Sequence, residues 1–75
     1  METYRDLNND SGVSAYEISD DSITVRFKTG AVYLYNYSST GVTDVEEMKK
    51  LAKSGDGLNS YIRRKVKGNY AKRIV

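Results

Sequence analysis

The sequence predicts an α+β domain of order βββαα, a three-stranded antiparallel meander with two helices packed on one face. Three observations carry this expectation. Apolar and polar residues alternate from Val13 to Tyr37, the period of half-buried strands. From Thr43 to Lys67 the apolar spacing changes to three and four, the period of an amphipathic helix. Between the runs stand Gly, Asp and Ser, which punctuate turns.

The first segment, METYRDLNNDSG, is polar and reads as an N-terminal flexible segment over residues 1–12, with Tyr4 and Leu7 as the residues able to dock. In VSAYEIS, Tyr16 and Ile18 alternate against Ala15 and Glu17, which makes a half-buried strand. Asp20 and Asp21 in SDDS are turn residues. A second strand, ITVRFK, sets Ile23, Val25 and Phe27 against Thr24, Arg26 and Lys28, and it is rich in β-branched side chains.

The third strand, AVYLYNY, places Tyr33, Tyr35 and Tyr37 on alternate positions and hence on one face. Loop length decides which face. A two-residue turn at Thr29-Gly30 would pair Arg26 with Tyr33 and turn the tyrosines outward. A three-residue loop, Lys28-Thr29-Gly30, would pair Val25 with Tyr33 and turn them inward. Three-residue hairpins end on a left-handed residue, and Gly30 stands there, whereas Thr29 suits a type I′ turn badly. The inward register is therefore expected, with the phenol hydroxyls reaching partners at the rim.

After SSTG, read as a loop, Thr43 and Glu46 have the spacing of a capping box. Val45, Met48, Leu51 and Ala52 form one apolar stripe, and Gly55 stops the helix. Asp56 is read as the cap of a second helix, GLNSYIRRKVK. Its stripe is Leu58, Tyr61, Ile62 and Val66, and Gly68 closes it. Residues 13–70 make the domain, and residues 71–75 a basic tail.

At 75 residues, with no Cys and no His, the chain has a small core and no disulfide, thiolate, imidazole base or ordinary zinc site. No apolar run approaches the ~20 residues of a bilayer span, and the acidic N-terminus does not read as a signal peptide. The expectation is a cytoplasmic protein with no membrane partner, no cofactor and no evident small-molecule substrate. The net charge of +2 hides a split: residues 1–48 carry nine acids and three bases, residues 49–75 nine bases and one acid. Such asymmetry points either to a polyanion or to attraction between the halves.

The YLY at 33–35, the FKTG before it and AKSGDGLNSYI at 52–62 resemble the KTSC domain, named for its place at the C-terminus of some lysyl-tRNA synthetases and found also as a small stand-alone bacterial or phage protein. Tyr33 and Tyr35 meet the family's Tyr-x-Tyr motif. Gly55, Leu58, Asn59 and Ile62 match its later Gly, Leu-Asn and Ile signature. Ser38 and Ser39 stand where the main family tends to have Val-Pro, and Lys53 where it has serine. The family has no established function; the synthetase association implies RNA by analogy.

Taken as chemistry, the sequence offers no nucleophile–base pair and no phosphate loop, so a non-catalytic reading is expected. Arg63, Arg64 and Lys67 fall opposite the apolar stripe of the last helix, while Lys65 falls within it and should lay its stem along it. The first three are the expected phosphate-binding residues, with Lys49, Lys50, Lys53, Lys72 and Arg73 in support. A solvated helix face is the plain alternative. Tyr37 and Tyr70 would stack bases if exposed; Tyr33, Tyr35 and Tyr61 read as core. The other functional reading is a protein-interaction or homodimerisation module. It would use the third strand, whose edge lacks Pro or Lys, and the open sheet face bearing Val32 and Leu34.

Overall fold

A computed structural model of the chain describes residues 1–7 and 12–75. Residues 8–11, part of the expected flexible segment, lie outside the described residues. Three alternating runs form the antiparallel meander, with Val13–Ser19 and Ser22–Phe27 leading to Val32–Asn36. Two short strands flank it. Glu2–Thr3 pairs with the first of these runs and Lys72–Arg73 with the last. In chain order the strands are β1 (Glu2–Thr3), β2 (Val13–Ser19), β3 (Ser22–Phe27), β4 (Val32–Asn36) and β5 (Lys72–Arg73). The described sheet thus has five strands in that spatial order, not three. A two-residue strand carries no alternation to read. It is recruited by the hydrogen-bonding groups that a meander leaves open at its edges.

The loop after β3 is the three-residue form. The Phe27 N–H donates to the Ala31 carbonyl at 2.8 Å, the Gly30 N–H donates to the Phe27 carbonyl at 2.9 Å, and Gly30 has φ +98°. Val25 lies opposite Tyr33, and Ile23 opposite Tyr35. Tyr33 and Tyr35 therefore join the Ile23–Val25–Phe27 face beneath the helices, where Tyr35 is 1% exposed. In β2 the register slips between Val13 and Ala15, so Ser14 is an extra residue. The bulge lets Val13 enter the core while Tyr16 and Ile18 still pack against it. On the outer face, Val32 is buried and Leu34 half-buried, so the apolar surface expected there is small.

Three helical segments follow, not two. Tyr37, expected to end the third strand, and residues 38–40, read as a loop, form α1 (Tyr37–Thr40), because Asn36 accepts from the Ser39 N–H at 2.8 Å and Ser39 returns a hydroxyl contact to the Asn36 backbone. The capping box thus sits seven residues upstream of the one predicted. Helix α2 (Val42–Ser54) starts from Gly41 without a side-chain cap, which leaves Thr43 inside the helix. Val45, Met48 and Ala52 are buried as the stripe requires. Gly55 ends α2 in the left-handed region, its N–H donating to Leu51 and Ala52. Helix α3 (Leu58–Tyr61) is preceded by Gly57 at φ +84°, not capped by Asp56, and runs into a π-helical segment, Ile62–Val66. Leu58, Ile62 and Val66 are buried. The helix ends at Val66, before Gly68, which has no positive φ.

The termini are also tied down. Tyr4 is 4% exposed, and its hydroxyl accepts from the Leu58 N–H at 3.2 Å. Arg5 donates to the Lys53 and Ser54 carbonyls at the end of α2, and the Leu7 N–H donates to Gly55. Leu7 itself stays exposed. At the other terminus, Ala71 donates to Leu34 and Ile74 to Val32, so the basic tail lies along β4. The edge that the sequence leaves open for a partner strand is occupied by the chain's own β5, and a second copy would have to displace it.

Candidate nucleic-acid interface

Helices α2 and α3 run antiparallel. The Tyr61 hydroxyl donates to Asp44 Oδ1 at 2.6 Å near the start of α2, and Gly57 sits against Leu51 near its end. Burial and the Asp44 carboxylate push the Tyr61 phenol up to about 12. With Leu58, Ile62 and Val66 drawn into the core, Arg63, Arg64, Lys65 and Lys67 are left exposed.

Arg63, Arg64 and Lys67, with Ser60, line one open groove of about 480 Å³. Arg64 Nε donates to the Ser60 carbonyl at 3.3 Å, which fixes one wall. Among the described residues, the salt bridges involve Glu17, Asp6 and Glu46, and none reaches these three cations. Arg63 and Arg64 lie in the π-helical segment, a widened turn that recurs at functional sites, and Lys67 follows its end. Three cations thus line one concavity, with no carboxylate among its described lining residues.

The supporting lysines do not join this groove. Lys49 bonds Glu46 Oε2 at 2.9 Å and the Asp20 carbonyl at 2.8 Å, and its ammonium stands 5.5 Å from the Tyr37 ring centre. Its side chain is 12% exposed and fastens α2 to the β2–β3 turn. Lys53 borders a separate groove with Met1, Glu2, Tyr16, Glu17 and Ile18. Lys49 and Lys53 therefore lie on the flank of α2 away from α3. Lys50 is exposed. In β5, Lys72 lies opposite Leu34 on the outer face of the sheet. Arg73 lies opposite Tyr33 on the helix side, 5.8 Å from that ring centre.

The aromatic candidates also separate. Tyr37 donates to Glu46 at 2.6 Å and to the Asp20 carbonyl at 3.1 Å. The bond to Glu46 raises the Tyr37 phenol and, with Lys49, lowers the Glu46 carboxyl. That ring is committed to the fold. Tyr70 is 39% exposed and stacks on Tyr33 with centroids 4.6 Å apart and planes at 25°. Asp20 and Asp21 occupy the two positions between Ser19 and Ser22, as turn residues do.

Of the motif residues, Tyr35, Leu58 and Ile62 are core, Gly55 is the left-handed cap, and Tyr33 and Asn59 are half-buried. Asn59 faces Gly12, where an added Cβ would stand 3.5 Å from its Oδ1. Sequence reasoning missed Ser60 as a groove residue. Its signal was the spacing to Arg63, Arg64 and Lys67 at three, four and seven residues. Comparison with family models, with curated proteins and with solved structures finds no match for this chain. Among the described residues no helix is long and apolar enough to cross a membrane.

Proposed function

We propose that this chain is a KTSC-like, non-catalytic binding module that takes the phosphates of RNA in the Ser60–Arg63–Arg64–Lys67 groove. The supporting observation is the convergence of three exposed cations on one groove with no acidic partner among the described residues. Arginine suits this work because its planar fork meets phosphate oxygens in pairs, and Lys67 adds a mobile point charge. Contacts of this kind bind and orient a backbone without reading its sequence.

The reading is tested by titrating labelled RNA at several salt concentrations. Three neutralised phosphates give a log–log slope of about −2, taking ~0.7 per phosphate for a single strand. Replacing Arg63, Arg64 and Lys67 together by Gln removes binding and leaves the circular dichroism spectrum intact, because all three are solvent-facing. A wild-type protein that ignores RNA at low salt ends the proposal.

A further inference from the structure

Tyr70 is the exposed aromatic ring that the fold holds rigidly and leaves open on one side. Beneath it lies Tyr33, stacked at 4.6 Å, with Tyr35 at its edge 6.4 Å away. Phe27 braces Tyr33 in turn, edge-on at 5.7 Å. The backbone on both sides is fixed. The Asn69 N–H donates to Val66, the Asn69 carbonyl accepts from the Thr40 hydroxyl at 2.6 Å, and the Ala71 N–H donates to Leu34. A ring so held has little entropy left to lose when a flat ligand lands on it. Among the described residues, no other ring and no cation covers its second face.

Cations flank Tyr70 along the chain. Lys67 precedes it by three residues, so the two Cα atoms lie within about 11 Å. Arg73 stands over the neighbouring Tyr33. An exposed aromatic with a cation three residues to either side in the chain suits a nucleobase flanked by its phosphates, and only an unpaired base presents its face.

We infer that Tyr70 is a stacking platform for one base of a single-stranded nucleic acid, with Arg73 and Lys67 positioned for the phosphates on either side. The inference rests on the proposed phosphate groove and specifies the class of strand that groove takes. It also gives the Tyr33–Tyr70 pair a role beyond packing: Tyr33 is the rigid support and Tyr70 the contact surface.

The experiment compares oligouridylate, oligothymidylate, duplex RNA and inorganic polyphosphate, which has charge but no base. Wild type is set against Tyr70→Leu, Tyr70→Trp and the Arg63/Arg64/Lys67→Gln triple variant. Losing one stacked base lowers single-strand affinity about tenfold in Tyr70→Leu, with polyphosphate binding unchanged. Tyr70→Trp retains affinity, and as the chain has no other Trp, quenching of its emission by the oligonucleotide reports the stack directly. Either oligonucleotide, if sensitive to Tyr70, supports the inference, and their ratio assigns RNA or DNA. Single-strand affinity untouched by Tyr70→Leu, or polyphosphate affinity lost equally with it, overturns the platform while leaving the groove standing. Failure of wild type to bind polyphosphate or any strand overturns both.

Discussion

Gly55 carries two constraints that act through different physics. Its φ of +80° is strained for any residue with a Cβ, and an added Cβ would stand 2.8 Å from the Cβ of Arg5. Gly55→Ala should therefore lower stability by about 2 kcal/mol, since the left-handed conformation alone costs ~1–2 kcal/mol per residue. The urea midpoint reads this, and an unchanged midpoint would mean that Arg5 and the helix end relax freely. The helix stop at Gly55 is legible in the sequence. The approach of Arg5 is not, because it joins residues fifty positions apart. The tyrosines give a second test. The phenols of Tyr35, raised by burial and then by Tyr33 and Tyr70, and of Tyr61 both titrate near 12 in the folded chain, against 10 in the absence of such effects. Unfolding frees them to ionise near 10, so above that pH the unfolded chain holds fewer protons than the folded one. The stability they contribute is complete below pH 10 and disappears as pH rises through 12. Thermal melts should show Tm falling across that window, with a shallower fall in Tyr61→Phe. A Tm flat from pH 10 to 12 would contradict the assignment.

The C-terminal segment, at the scale of elements, is where local sequence says least and structure adds most. The meander was legible because alternation has period two and Gly30 selects the loop; the tyrosine face followed from that one glycine. Neither β1 nor β5 could be read. Each is two residues long, and each exists because β2 and β4 offer open edges. Helix α1 was obscured for another reason. Asn36 ends a strand and caps a helix at once, and strand alternation runs through it into Tyr37. Element dependence of this sort can be measured. Ending the chain after Gly68 removes the Ala71 and Ile74 bonds to β4, the Tyr70 stack and the partner of the buried Thr40 hydroxyl. Its expected consequences are a lower Tm and concentration-dependent self-association through the uncovered β4. Sedimentation velocity checks the second: a truncated chain that stays monomeric would show that β5 is not what guards the edge. A milder change, Thr40→Val, leaves the Asn69 carbonyl short of its 2.6 Å donor and should cost about 1–2 kcal/mol.

Across the whole molecule, the acidic first part and the basic last part could have cancelled by direct pairing, and among the described residues the salt bridge that joins them is Lys49–Glu46, at their boundary. The Lys28–Asp6 and Met1–Glu17 pairs both lie inside the acidic part, and Lys49–Glu46 is a local pair within α2. The basic run was legible as composition, but its partition was not. Whether Lys49 or Lys50 stood beside Arg63 depended on how two helices pack, and the Tyr61–Asp44 contact brings the acidic start of α2 against α3. The result is a cluster of like charges that repel one another in the isolated protein. Each such neighbouring pair costs a few tenths of a kcal/mol, and a domain of this size gains ~4–8 °C of Tm per kcal/mol. Screening by ~0.3 M salt shortens the Debye length below 10 Å and should raise the wild-type Tm by about 1–2 °C. The Arg63/Arg64/Lys67→Gln variant retains the same acidic part, so the difference between the two salt responses isolates the cluster. The variant should start with the higher Tm at low salt and converge on wild type as salt rises. The same residues must then show the opposite response in binding, where salt weakens the complex with a polyanion. A wild-type Tm that falls with salt while the variant's does not would mean that these cations are held by the protein's own acids at longer range. In that case the groove is satisfied from within and is not a receptor waiting for phosphate.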